Sequence, residues 1–167
     1  MPTTTTIAIV SDTHMPKGRR ELPDQCVRVC RESDLIIHAG DFVETSVLEE
    51  FRSFGPPVVA VHGNVDSEDL QNWLPSVTTV EVEEVRIGVI HDSGPSKGRL
   101  ERMLDLFPDR DAVIFGHSHM PLHEEAGGFQ IFNPGSPTER RRSPFKSMGV
   151  AKIDGSKLSF ELIDLGT

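Results

Sequence analysis

The sequence predicts an α/β fold with a parallel, βαβ-built first half and a strand-rich second half. Three observations carry this. Short apolar runs alternate with stretches of helical period through the first sixty or so residues. Beyond residue 77 the runs come in pairs, with turn residues between most of them. No internal repeat or low-complexity linker divides the 167 residues, so one domain spanning 1–167 is expected.

The elements follow in order. Residues 5–10 (TTIAIV) read as a strand ending in Ser11-Asp12. Residues 22–32 read as a helix, because Leu22, Cys26, Val29 and Cys30 share one face. Residues 35–38 (LIIH) form a short buried strand before Ala39-Gly40-Asp41. A second helix starts near Ser46. Ser46 and Glu49 have capping-box spacing, Val47, Leu48, Phe51 and Phe54 make the apolar stripe, and Gly55-Pro56 ends it. Residues 57–61 (PVVAV) are the third strand, leading to His62-Gly63-Asn64. Residues 77–83 and 85–90 pair as a hairpin. Residues 97–107 are helical, with Leu100, Met103, Leu104 and Phe107 on one face and Ser96 as the expected N-cap. Strand 112–115 (AVIF) follows. From residue 120 only strands are expected, near 120–125, 129–133, 147–153 and 157–163, with Gly127-Gly128 and Asp154-Gly155 as turns.

Composition narrows the function class. With 37% hydrophobic and 26% charged residues, the chain has an ordinary globular make-up rather than a disordered one. A net charge of −9 argues against a protein that coats nucleic acid. It does not exclude an anionic substrate, because bound cations reverse the local field. Cys26 and Cys30 read as small core residues, in keeping with a reducing compartment. No apolar run is long enough for a membrane span, and Met1 to Thr6 lacks the basic and apolar regions of a secretory signal, so a cytoplasmic location is expected.

The chemistry-bearing residues lie where strands run out. IAIV leads to Asp12 and His14, LIIH to Asp41, VVAV to Asn64, IGVI to His91, and AVIF to His117 and His119. Ligands of parallel α/β sheets bind outside the carboxyl ends of the strands, so five loops would deliver these seven residues to one place. Each residue alone would read as a strand-edge or turn residue. Together, Asp, Asn and His suit divalent Mn²⁺, Fe²⁺, Ni²⁺ or Zn²⁺. Seven donors exceed one tetrahedral site and fit two octahedral ions sharing a carboxylate. The D-x-H and H-x-H spacings are expected to align both side chains of a locally extended segment.

D-x-H, G-D, G-N, H and G-H-x-H, in that order over about residues 7–136, resemble the calcineurin-like metallophosphoesterase superfamily. The short chain is similar to its small, YfcE-like prokaryotic phosphodiesterase branch, which shares its fold with a non-catalytic retromer subunit. The resemblance implies a four-layer α-β-β-α sandwich with two mixed sheets and a di-metal site. By it, Asp12, His14 and His119 would hold one ion, and Asn64, His91 and His117 the other. Asp41 would bridge them. The implied cofactors are two divalent ions, Mn²⁺ foremost, with Ni²⁺, Fe²⁺, Zn²⁺ or Mg²⁺ as alternatives. The implied reaction is attack of a metal-bridging hydroxide on a small phosphate ester, with Asp41, Asn64 and His117 acting through that water.

Two departures bear on turnover. Many relatives have a His directly after Gly-Asn to protonate the leaving group, and here Val65 stands there. The His91 block reads His91-Asp92-Ser93-Gly94 where the branch often has H-G-H. His62 and Asp66 flank the Gly-Asn block as replacement donors. His38 and His123 are expected to pack or support ligands rather than bind metal. Arg99, and Asn133 and Ser136 of the N-P-G-S loop, are candidate substrate contacts. Arg140-Arg141-Arg142 with Lys146 is the one basic cluster, a solvated loop or a contact for a polyanion. A phosphodiesterase is thus expected. The alternatives are a weak or inactive binding protein of the same fold and a phosphomonoesterase. Exposed strand edges in the C-terminal half would admit a homodimer.

Overall fold

The computed structural model describes residues 4–15 and 20–167. Met1, Pro2 and Thr3, part of the secretory-signal reading, lie outside the described residues. The chain order is β1 (Thr5–Val10), α1 (Asp24–Glu32), β2 (Leu35–His38), α2 (Thr45–Arg52), β3 (Val58–Ala60), α3 (Glu68–Trp73), β4 (Val77–Val82), β5 (Val85–Ile90), α4 (Arg99–Leu106), β6 (Ala112–Ile114), β7 (Leu122–Ala126), β8 (Phe129–Asn133), β9 (Lys146–Asp154) and β10 (Lys157–Gly166).

Two five-stranded mixed sheets result, ordered β10-β9-β1-β2-β3 and β4-β5-β6-β8-β7. β1, β2 and β3 are mutually parallel, as are β5, β6 and β8. Strand alternation sorts the core into three layers. Ile7, Ile9 and Ile37 point inward to meet Val85, Ile87, Val89, Ile114 and Phe132 of the second sheet. Ala8, Val10 and Ile36 point outward onto Cys26 and Cys30 of α1, Val47, Leu48 and Phe51 of α2, and Leu70 of α3. On the far side, Met103 of α4 and the adjoining Phe107 cover Val113, Phe129 and Ile131. Helix, sheet, sheet and helix therefore stack as four layers. Because Ile7–Val10 of β1 and all of β6 are covered on both faces, these stretches are continuous apolar runs.

Several boundaries differ from expectation. α2 begins at Thr45 with Glu44 as its N-cap and no side-chain cap, so Ser46 lies inside the helix and the Ser46–Glu49 capping box is not formed. α4 is capped by Gly98 at φ 71°, not by Ser96, whose carbonyl instead accepts from Arg99 N. A left-handed residue there needs no Cβ, which favours Gly over Ser. α3 was not expected, although Ser67 marks it by accepting from Leu70 N. Cys26 and Cys30 are free and buried. Among the described residues no helix is long and apolar enough to cross a membrane.

Candidate metal centre

The site lies where the carboxyl ends of β1, β2 and β3 meet those of β5 and β6. Asp12, His14 and His119 form one group whose ligand atoms lie within 4.8 Å of one another, and Asp41, His91 and His117 form a second. Asp41 joins them, because its Oδ2 lies 3.2 Å from His14 Nε2 and 3.1 Å from His91 Nε2. Asn64 Oδ1 lies 3.1 Å from His91 Nε2 and 3.2 Å from His117 Nδ1. All seven residues expected at the site are thus brought together.

Their convergence does not come from extended backbone. Asp12, His14, Asp41, His117 and His119 all have positive φ, between 46° and 75°. Non-glycine residues seldom sit there, and each costs on the order of 1–3 kcal/mol unless its surroundings enforce it. The alternating D-x-H and H-x-H ligands therefore align through residues of left-handed φ, not through the expected extended segments. Two glycines let the loops close up. A Cβ on Gly63 would strike Asp41 Oδ1, and one on Gly116 would strike Ser11 Oγ.

Surrounding groups use up one side of each donor. Asp12 Oδ2 accepts from Ser11 Oγ and His117 N, both at 2.9 Å, so only Oδ1 remains, and it is buried without a partner. His119 Nε2 faces that oxygen at 3.5 Å and is likewise buried and unpartnered. His91 Nδ1 donates to Ala39 O at 2.8 Å, which turns Nε2 to the centre. Asp41 Oδ1 accepts from Val65 N at 3.0 Å, freeing Oδ2. Buried polar atoms left open and aimed at one point are the arrangement that cations complete. This donor set fits a pair of divalent ions.

The electrostatics agree. Burial works against the charged form of His14, but Asp12 and Asp41 outweigh it and raise its pKa to about 9. Burial would raise the Asp41 carboxyl, yet contacts from His14 and His91 hold it well below the usual carboxylate range. The metal-free centre thus holds protons where cations would otherwise sit. Burial lowers His119 to about 4 despite Asp12, leaving it a neutral donor.

The supporting residues divide differently from expectation. Asp66 is not open to the centre as a proton donor. It is buried, with Oδ2 accepting from Asp41 N at 3.0 Å and Gly63 N at 2.6 Å and Oδ1 from Val43 N at 2.7 Å. It ties the Asp41 loop to the Asn64 loop. Asn133 and Ser136 are also buried rather than open to substrate. Asn133 Nδ2 donates to Gly116 O at 3.2 Å and to Ser118 Oγ at 3.1 Å, while Ser136 Oγ donates to Asp12 O at 2.8 Å. Both hold ligand loops in place. The guanidinium of Arg99 lies 5.1 Å over the Phe115 ring and donates to Gly94 O at 3.4 Å, a packing role in place of the expected substrate contact.

His38 is fully buried, stacked on Phe42, and accepts from Gly40 N at 3.1 Å on Nδ1, so its Nε2 donates to Thr13 Oγ1 at 3.2 Å. His123 is held by Gln130 at 2.7 Å and stands apart from the ligands. Glu139 was not foreseen. Its Oε2 lies 3.5 Å from His119 Nδ1, and Arg20 pairs with its other oxygen at 3.0 Å. Its position three residues after Ser136, in a loop returning to the site, was the only sequence signal. Val65 is 42% exposed beside Asn64, and His62 is half-buried. Arg141 and Arg142, with Ser118 and Met120, line a separate cavity of about 540 Å³ beside the His117–His119 turn.

A family model described as the calcineurin-like phosphoesterase superfamily domain matches residues 6–156. The chain belongs to this superfamily. It is 36% identical to a probable metallophosphoesterase of Methanothermobacter thermautotrophicus over 96% of this chain and 92% of that one. It is 28% identical to a phosphodiesterase of Methanocaldococcus jannaschii, covering 77% of this chain and 82% of that one. Among solved structures, a Thermotoga maritima protein aligns with a TM-score of 0.75 at 30% identity, over 96% and 99% of the two chains. Vps29 of Entamoeba histolytica complexed with Zn²⁺ aligns with a TM-score of 0.78 at 20% identity, over 97% and 100%, a likeness of fold. The α-β-β-α architecture is that of the metallophosphoesterases, and the two residue groups are candidate ligands of a metal-dependent family.

Proposed function

We propose that this metallophosphoesterase is a phosphodiesterase acting through two divalent ions, Mn²⁺ foremost. Asp12, His14 and His119 would hold one ion, Asn64, His91 and His117 the other, and Asp41 Oδ2 would serve both. The observation that carries this reading is the shared oxygen of Asp41, 3.2 Å from one histidine and 3.1 Å from another in different groups. When bound, the ions supply positive charge and an acidified water as nucleophile.

The remaining work falls to the chain. Asp12 is walled off by Ser11 and the main chain of His117, so it binds rather than transfers protons. Asn64 is neutral and exposed and adds no negative charge where a phosphate lands. His117, with its side chain 46% exposed, leaves the second group open to solvent, and substrate would enter there. Val65 cannot protonate a leaving group, and general acid catalysis is typically worth about 10²–10⁴-fold. Esters with good leaving groups are therefore the preferred substrates. That one of the relatives is named a phosphodiesterase supports reading the substrate as a diester.

The test is hydrolysis of paired chromogenic mono- and diesters by metal-stripped protein re-supplied with Mn²⁺, Ni²⁺, Fe²⁺, Zn²⁺ or Mg²⁺. Diester turnover that collapses in His117→Ala supports the reading. No turnover in protein that binds two ions would make it a binding protein of this fold, and faster monoester turnover would make it a phosphomonoesterase.

A further inference from the structure

A cavity of about 380 Å³ adjoins the second ligand group, sharing Asn64 and His91 with it. Its apolar wall is a cross-strand pair, for Val77 at the start of β4 lies opposite Ile90 at the end of β5. His62 forms another wall, fixed by its main-chain N–H donating to Pro75 O at 3.0 Å. Asp92, 58% exposed, is the one formally charged lining residue, and among the described residues no Lys or Arg lines the space. An apolar cavity of about 150 Å³ already takes benzene, so this one has room for a substituted ring.

Size, lining and charge together limit the occupant. A second phosphate would meet the Asp92 carboxylate with no Lys or Arg among the described lining residues to offset it, the ions at the Asn64–His91 edge being engaged by the reacting phosphate. A departing alkoxide develops negative charge and would meet the same carboxylate. The arm that stays on phosphorus develops none. We propose that this cavity receives the retained arm of a diester, as an uncharged apolar alcohol of aryl size, and so sets the substrate class of the site. The proposal rests on the phosphodiesterase reading. It makes bulky, neutral-armed diesters preferred over monoesters and over esters bearing a second phosphate.

Val77 is 41% exposed, so it accepts substitution without disturbing the core. Val77→Trp fills the cavity, and Val77→Glu adds a second negative charge. Steady-state kinetics on bis(p-nitrophenyl) phosphate and methyl p-nitrophenyl phosphate compare an aryl with a methyl retained arm on one leaving group. In both variants the aryl-to-methyl ratio of kcat/KM is expected to fall by about tenfold or more from wild type. Equal losses on the two esters would overturn the proposal. A second measurement does not depend on turnover. Benzyl alcohol, titrated into Zn²⁺-supplied protein, is expected to shift the NMR signals of Val77, Ile90 and His62, and the shifts are expected to vanish in Val77→Trp. No shift at tens of millimolar alcohol would overturn the proposal. If wild type hydrolyses neither ester, the phosphodiesterase reading fails, and the alcohol titration alone decides the cavity.

Discussion

Replacing Asp66 by Asn separates a structural role from a catalytic one. The carboxylate accepts three main-chain N–H groups, from Asp41, Val43 and Gly63. An amide can present its oxygen to the two that share Oδ2, but its NH₂ then faces Val43 N, donor against donor. One bond to a charged acceptor is lost, worth about 1.5–3 kcal/mol, and the other two weaken by about half a kcal/mol each on becoming neutral. The sum is about 2.5–4 kcal/mol, which lowers Tm by roughly 10 °C in a chain of this length. Because the same bonds align the Asp41 and Asn64 loops, metal affinity falls as well. Urea denaturation of metal-free protein measures the first effect, and competition with a chelator measures the second. Sensitivity of the rate to leaving-group pKa stays at the wild-type slope, because Asp66 transfers no proton. Wild-type stability combined with a steeper leaving-group slope would refute the reasoning and restore Asp66 as the acid.

Three further expectations follow from single contacts. Glu139→Gln removes the carboxylate 3.5 Å from His119 Nδ1 and is expected to weaken the first ion about 10–100-fold, read by metal competition titration. Burial lowers His38 to about 3 from an ordinary 6.5, so the unfolded chain takes up the proton first, and stability is kept above pH 6.5 and lost as pH falls toward 3. The stability gap between wild type and His38→Gln in metal-free protein should therefore narrow by about 2 kcal/mol from pH 7 to pH 5, and a constant gap would count against it. Val65→His supplies a leaving-group acid and should raise kcat up to about 10²-fold for alkyl leaving groups and little for p-nitrophenol. A uniform change across leaving groups would mean that protonation is not the missing element.

The ligands were legible because each ends an apolar run, and strand ends of this kind converge however the strands are shared between sheets. Asp12, Asp41 and His117 could be picked out without knowing that β1 and β2 lie in one sheet and β6 in the other. The left-handed backbone at five of them was not legible, since Asp and His adopt it only when surrounding contacts enforce it. Buried support was hidden for a related reason. Asp66 and Ser136 are polar loop residues and Asn133 ends β8, and each has main-chain partners 17–124 positions away, beside nearer contacts such as Gly63 N to Asp66 and the Ser118 hydroxyl on Asn133. Sequence offers a reason to place such residues near the site and none to say which way they face. Ser118 shows the same limit, for its exposed side chain still accepts from Asn133 Nδ2. At Gly98 and Ser96 local chemistry misled, because a good N-cap residue lies two positions before the glycine that caps α4.

The central claim is that two ions share Asp41. Electron paramagnetic resonance of Mn²⁺-titrated protein tests it most directly, alongside the bound-metal count. The account predicts two Mn²⁺ per chain and an exchange-coupled spectrum that Asp41→Ala abolishes. One bound ion, or two with the uncoupled six-line signal of isolated Mn²⁺, would contradict it.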